Sequence, residues 1–408
     1  MPTCELITIG SELLNGSVLN TNAQFLARRV SELWIDVVHQ VSCRDLEQEI
    51  LEALSLAFKR SDLIIVTGGL GPTPDDVTRQ AIARFFRCGL KFDRAQYRHI
   101  VRYFRTIRRA TPFITRQEAF LPAVAKPLLN RFGIALGFYV AENGKLLVVL
   151  PGVPRELIKM YDTRVQKLIK QKFANRTRSF LLEARIASLY ETQVMRKLGA
   201  GFFKNRSFEF GIYPEIGEVT VRIKTKQKGL TSILRRELAE KLGRFLYSFQ
   251  GESMSTLIGR HLVKQGKTLA IGESCTGGLL AERITDPPGA SRYFKGGIVV
   301  YSNEIKHSEL GISQEMLHQK GAVSPEVAKA MAEAVRNRYR TSIGVAVTGI
   351  AGPSGGTKSK PVGLVYLGIS DRKKTRTFKF RFLGDRAKVR FQATQRALFF
   401  LLEWLTKR

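Results

Sequence analysis

The chain is short of the residues that build metal centres and disulfide frames. Four cysteines occur among 408 residues, Cys4, Cys43, Cys88 and Cys275, and no two stand in C-x-x-C spacing. Such scatter argues against a zinc site and a disulfide framework, leaving reduced thiols. The five histidines, His39, His99, His261, His307 and His318, form no i, i+4 pair and no Cys/His cluster, so a histidine-rich metal centre is not expected. Long apolar runs are missing too: "KLLVVL" and "LFFLLEWL" fall far short of the ~18–20 residues that span a bilayer. The amino terminus, "MPTCELITIGSELL", lacks a basic n-region and reads directly as a strand and then a helix. No signal peptide and no membrane partner are therefore expected, and the reading places the protein in the cytoplasm.

Acidic residues are outnumbered, 35 Asp and Glu against 66 Lys and Arg, for a net charge of +31. The excess is uneven: residues 1–90 carry 8 basic and 11 acidic groups, residues 91–260 carry 33 and 13, and residues 261–408 carry 25 and 11. Arg94, Arg98, Arg102, Arg105 and Arg109 recur at three and four residues, opposite Tyr97, Val101 and Phe104, which predicts an amphipathic helix. Its basic face reads either as a solvated exterior or as a contact for polyphosphate or nucleic acid, the second not favoured from composition alone.

What the chain does contain is alternation. Its length suits two or three cores rather than one. Residues 1–172 alternate strand and helix, through "ELITIG", a helix near 20–33, "WIDVVHQVSC", a helix at 45–60, "SDLIIVTGG" and "KLLVVLPGVPRELIKMY". A change of pattern at "QKFANRTRSF" leads to a small α+β module over 176–250, with a hairpin around Pro214 to Gly217. Residues 255–408 form a second α/β unit, closed by a long helix from about 385 to 407. The expected fold class is thus α/β, two three-layer α/β/α domains flanking a small α+β module.

In the last unit three strands each run into a small or polar loop: "LAIG" into "ESCTGG", "IVVY" into "SNEIKH", and "GVAV" into "TGIAGPSGG". Ligands of α/β sheets collect outside the carboxyl ends of strands, so these loops are candidates to share a pocket. Gly277 and Gly278 open a helix whose free N–H groups suit an anion. Ser274, Thr276 and Thr348 offer hydroxyls, and Gly349 allows close backbone approach. Cys275, with no histidine placed to activate it, reads as a buried structural thiol. Ser291, Tyr301 and Lys306 flank one strand. A lysine of lowered pKa can deprotonate a serine, with a tyrosine relaying the proton, but spacing alone does not establish the set.

In the first unit, "IIVTGGLGPTPDDVTRQAIARFF" places Gly68, Gly69 and Gly71 in a flexible turn before a helix, with Thr73 able to bind phosphate. Asp75 and Asp76 either cap that helix or coordinate a magnesium-type ion shared with a pyrophosphate. Glu12, Asn20 and Asn22 lie near another strand end and complete this candidate nucleotide site.

"GESCTGG", "PGASRYFKGGIVVYSNEIK", "GAVSPEVA", "VTGIAGPSGG", "PVGLVY" and "GDRAKVRFQA" occur together and in order, and over residues 255–405 they resemble the C-terminal, nicotinamide-mononucleotide amidase domain of the CinA family. The resemblance implies deamidation of nicotinamide mononucleotide to nicotinate mononucleotide and ammonia, with no cofactor. It implies Ser291 as nucleophile, Tyr301 and Lys306 as its partners, and nucleotide contacts from Ser274, Thr348 and an arginine of the last helix, Arg390 first and Arg386 second. The first unit is similar to the family's MoaB/MogA-like, molybdopterin-binding-type domain, in which some members hydrolyse ADP-ribose with a divalent metal. Pro74 stands where the family commonly has lysine, and "NRFGIALGF" replaces a stretch richer in Pro and Thr. The middle module resembles the family's KH-like insert, without its Gly-x-x-E start. A homodimer is the implied assembly. The alternatives to the amidase are a pyrophosphatase working through Asp75 and Asp76, and a basic scaffold that binds nucleic acid or protein.

Overall fold

The structure, a computed structural model, describes residues 2–173, 180–204 and 207–406. The chain divides into two compact units, residues 1–179 and 180–408. The expected change of pattern near 171–180 falls largely on residues 174–179, outside the described residues.

The first unit contains β1 (Thr3–Ile9), β2 (Asp36–Cys43), β3 (Leu63–Thr67), β4 (Leu90–Phe92), β5 (Phe120–Pro122), β6 (Lys126–Leu128), β7 (Gly137–Glu142) and β8 (Lys145–Leu150). Six of them form a sheet of order β2-β1-β3-β8-β7-β6, and β4 pairs with β5 apart from it. The β2, β1, β3 and β8 strands run parallel, while β7 and β6 add antiparallel edges. Strand side chains alternate between faces, and the sequence exploits this. Ile7, Ile64, Val66, Leu147 and Val149 meet the helices Glu47–Arg60 and Thr78–Phe85 on one face. Leu6, Leu63, Ile65, Leu146 and Val148 meet Thr21–Ser31 and Pro154–Met160 on the other. Two cores on one sheet give the three-layer α/β arrangement that the near-continuous apolar runs predict.

The second unit holds two sheets. Strands β9 (Phe180–Ala187), β10 (Phe208–Glu215), β11 (Glu218–Thr225) and β12 (Leu246–Ser248) form an antiparallel sheet of order β10-β11-β9-β12, with the expected hairpin turning at Ile216 and Gly217. Strands β13 (Leu269–Glu273), β14 (Phe294–Val299), β15 (Ile343–Gly349), β16 (Leu364–Ser370) and β17 (Thr375–Arg381) form a sheet of order β14-β13-β15-β16-β17, parallel up to β15 and antiparallel beyond it. The helices Met254–Lys264, Leu279–Thr285 and Arg386–Thr406 cover one face, against Leu269, Ile271, Val345 and Val347. Pro325–Arg338 covers the other, against Ala270 and Ala346. A Cβ at Gly344 would lie 2.1 Å from the Ala332 carbonyl oxygen, so glycine is what lets this helix lie close to the sheet. Ala187 and Tyr247 of the four-stranded module share the large core, and the Arg396 guanidinium donates to the Ser188 carbonyl, which ties the module to the last helix.

Candidate active site

Parallel pairing of β13 with β14 aligns Glu273 with Val299, so the chain leaves both strands at the same edge of the sheet. Ser274 follows the first strand and Val300 to Ser302 follow the second. Ser302 then caps the helix Asn303–Leu310, its hydroxyl accepting from the Ile305 N–H, and the first turn carries Lys306 back over the strand ends. Its Nζ lies 3.2 Å from Ser274 Oγ, 2.9 Å from the Val300 carbonyl, 3.0 Å from that of Tyr301 and 3.4 Å from that of Ser302. Lys306 is 1% exposed. Burial lowers its pKa from the usual lysine value, and the nearby Cys275 and Glu304 oppose that shift more weakly. The ammonium form donates to the Ser274 hydroxyl and to these carbonyls; the neutral amine, with its two N–H donors on the nearer Val300 and Tyr301 carbonyls, can instead turn its lone pair to the Ser274 hydroxyl.

Ser274 begins a turn in which the Gly277 N–H donates to its carbonyl. Thr276, fully buried, accepts through its carbonyl from Nε and Nη2 of Arg390, at 3.3 and 2.8 Å. Gly277 has φ +61°, and a Cβ there would come within 3.1 Å of Arg390 Nη2, so glycine serves both the turn and the arginine. Arg386 donates to the Gly352 carbonyl at 2.8 Å and to the Tyr301 hydroxyl at 2.6 Å. Tyr301 is 56% exposed and stands at the open rim. The Thr348 hydroxyl donates inward to the Ala322 carbonyl, and Gly349 is held against Val365 of β16, so both order the neighbouring loop from within. Burial pushes the Cys275 thiol up to about 12, in keeping with a structural role.

Two expectations need correction. Ser291 sits in the single turn Ala290–Arg292, before β14 begins, whereas Lys306 gathers the carbonyls that follow its end. Six residues of strand, about 20 Å at roughly 3.3 Å per residue, separate the two. Ser291 is exposed at the opposite edge of the sheet, and the serine beside the amine is Ser274. The second correction concerns the amides after Gly277. The Glu273 carboxylate accepts from the N–H groups of Gly278, Leu280 and Ala281, at 3.0, 3.1 and 2.8 Å, and so fills the cradle expected to hold an anion. Sequence reasoning passed over Glu273, although an acidic residue just before a helix start is the available signal.

In the first unit the glycine turn is braced from within. The Asp76 carboxylate accepts from the N–H groups of Gly71 and Thr73 and from the Thr73 hydroxyl. It thus neither caps the helix Thr78–Phe85, whose N-cap is Val77, nor stands free for a cation. Asp75 is exposed. Gly68 and Gly69 have positive φ and abut the Ile9 carbonyl and the Thr78 hydroxyl. Asn20 caps the helix Thr21–Ser31, and the Asn22 amide donates to the Gly152 carbonyl. Glu12 is exposed. Among the described residues no group of three or more His, Cys, Asp or Glu converges as a metal site. Beneath the turn, buried Arg79 donates to the Leu70 and Gly71 carbonyls. Glu118, also buried, is pushed up to about 7, chiefly by desolvation, with Arg79 opposing and with Glu156 and Asp76 adding to the rise. No helix of the described residues is long and apolar enough to cross a membrane.

The profile described as "CinA C-terminal domain" matches residues 251–405, and that described as "Probable molybdopterin binding domain" matches residues 5–171. A curated relative from Caldanaerobacter subterraneus, named for competence-damage induction, is 40% identical over 99% of this chain and 98% of its own length. One so named from Moorella thermoacetica is 40% identical over 97% of each chain. The crystal structure of a competence damage-inducible protein from Klebsiella pneumoniae is 32% identical, covering 38% of this chain and 95% of its own, with a TM-score of 0.37. Identity of this order, sustained from one end of the sequence to the other, shows that the chain belongs to the CinA family.

Proposed function

We propose that the second unit hydrolyses the carboxamide of nicotinamide mononucleotide, releasing nicotinate mononucleotide and ammonia. The substrate class follows from the family resemblance. The catalytic assignment rests on one observation: the buried Lys306 amine lies 3.2 Å from Ser274 Oγ with no carboxylate bonded to it. On this reading Ser274, not Ser291, is the nucleophile.

Neutral Lys306 takes the Ser274 proton as Oγ attacks the amide carbon. The oxyanion is met by the Thr276 N–H, which no described acceptor takes. Collapse breaks the C–N bond, and the Lys306 ammonium returns its proton to the departing amine, which leaves as ammonia. A water, deprotonated by the again neutral Lys306, then attacks the acyl ester; as the C–Oγ bond breaks the Lys306 ammonium returns that proton to Ser274 Oγ, and the acid leaves and ionises to the carboxylate. Arg386 and Arg390 offer guanidinium charge to the nucleotide phosphate.

The test is ammonia release from nicotinamide mononucleotide by purified protein. Ser274→Ala should lower kcat by about 10³ or more, as loss of a nucleophile does. Ser291→Ala should stay within about two-fold, because its hydroxyl meets no group of the dyad. Full activity in the Ser274 variant, or loss in the Ser291 variant, overturns the assignment.

A further inference from the structure

The helix Arg94–Thr106 buries only Gln96 and Ile100. Gln96 donates to the Ile134 carbonyl and anchors the helix to its own unit. At 100° per residue, Arg94, Arg98, Arg102 and Arg105 fall within an arc of about 80°, on the side away from those two residues, in a ridge about 16 Å long. All four are exposed, as are Arg108, Arg109 and Arg116 beyond the helix end. None of the seven lies within 4 Å of a carboxylate among the described residues. By contrast Arg28, Arg29, Arg44, Arg60 and Arg84 of the same unit are each ion-paired. The charge is also local: residues 91–116 hold eight basic groups and one acidic group, a net of +7, directly after ninety residues with 8 basic and 11 acidic groups, a net of −3. A row of like charges without counterions inside the protein is costly unless something outside supplies them.

The same stretch of chain also carries a bare aromatic ring. Phe113, 84% exposed, lies between Arg109 and Arg116 in the chain, and the Arg116 guanidinium stands 5.5 Å from the ring centroid of Phe92. Exposed guanidinium charge and an unpacked aromatic ring in one stretch of chain are what a single-stranded nucleic acid uses: phosphates along the ridge and an unstacked base on the ring. A lipid surface fits less well, because an interfacial helix lays its apolar side into the membrane. Here Ile100 of that side is buried and Tyr97 and Phe104 are half-buried against the protein, with Val101 exposed, which leaves little continuous apolar surface for a membrane.

We propose that the ridge Arg94–Arg98–Arg102–Arg105, together with Phe113, is a binding surface for single-stranded nucleic acid. The ligand chemistry is an extended phosphodiester chain with accessible bases; DNA and RNA share it. This proposal does not depend on the amidase reading, since no residue of the dyad takes part.

The experiment measures fluorescence anisotropy of labelled 20-nucleotide oligothymidylate and oligouridylate with the full chain, over a series of salt concentrations. Binding should weaken steeply with salt, with a log–log slope of about −3 for four phosphate contacts at roughly −0.7 each. Replacing the four ridge arginines together by glutamine should weaken low-salt binding at least about 100-fold and flatten the slope. Phe113→Ala should weaken binding about ten-fold with the slope unchanged, the signature of stacking. A circular dichroism melt of each variant shows that it is folded. Comparable binding of the two oligonucleotides supports the shared chemistry, and a preference for either names the source. Absence of binding to both at low salt overturns the proposal, as does binding that survives the quadruple substitution. Ridge-dependent binding to anionic phosphatidylglycerol vesicles with none to oligonucleotides would make the surface a membrane contact and overturn it equally.

Discussion

The two α/β units of this chain carry similar punctuation, a buried strand ending in a glycine-rich turn before a helix, yet the turns do different things. After β3 the polar groups close on one another: Asp76 grips Gly71 and Thr73, and Arg79 holds the Leu70 and Gly71 carbonyls. After β13 one acidic group, Glu273, takes the helix amides, and the hydroxyl beside it is left to face an amine without a counterion. A buried lysine with no carboxylate bonded to it is less favourable in its charged form, which suits it to act as a base. The comparison teaches that glycine spacing locates a turn but not its purpose, which depends on whether its polar side chains satisfy each other.

The strongest way to break that contrast is to remove the amine. Lys306→Ala should lower kcat for ammonia release by about 10³ or more, and a small primary amine added to the assay should restore part of it by entering the space left behind. In the wild type, kcat/KM should rise with pH through a value below the ordinary lysine range, because burial favours the neutral form that accepts the serine proton. That limb should vanish in Lys306→Ala. An unchanged pH profile in the variant would mean that another group is the base.

A smaller effect is expected in the first unit, where the buried charge serves packing. Glu118 has a folded value raised from 4.5 to about 7. Its contribution to stability is greatest below pH 4.5, where it is protonated folded or unfolded, and is lost as the pH climbs through 7, where the buried carboxylate must ionise. Chemical unfolding should therefore show stability falling between pH 5 and pH 8 by about 1–2 kcal/mol, a figure discounted for partial solvent screening. Glu118→Gln should flatten that slope and leave ammonia release unaltered.

How much of this is legible in the sequence differs by level. The cores are, because strict alternation from Leu6 to Ile7 and from Leu63 to Val66 fixes which side chains meet which layer of helices. The neighbourhood of the site is legible too, since three loops at carboxyl ends of strands must face the same way. The nucleophile is not. Ser291 stands much nearer to Tyr301 and Lys306 in the chain than Ser274 does, and only the parallel register of β13 with β14 shows that the distant serine shares an edge with the amine while the near one lies a strand length away. Register depends on pairing between segments more than twenty residues apart, information that local spacing does not hold. Glu273 escaped for a related reason: a carboxylate at a strand end reads as a ligand or a cap with equal ease until the amides it accepts from are seen.

Tyr301 provides the finest distinction. Spacing suggested that its hydroxyl relays a proton, but its backbone carbonyl is what meets Lys306 Nζ, while its hydroxyl accepts from Arg386 at the rim. Removing that hydroxyl leaves Arg386, among the described residues, with its bond to the Gly352 carbonyl. If the tyrosine orients the arginine toward substrate phosphate, Tyr301→Phe should raise KM about 3–10-fold with kcat within about two-fold, the pattern of lost uniform binding. A relay predicts the reverse, a fall in kcat with KM little changed, because proton transfer is needed only in the chemical step. Steady-state kinetics on this one variant thus separate a residue that holds the substrate from one that takes part in the reaction. The geometry favours the former, since among the described residues the hydroxyl is bonded to Arg386 of the last helix.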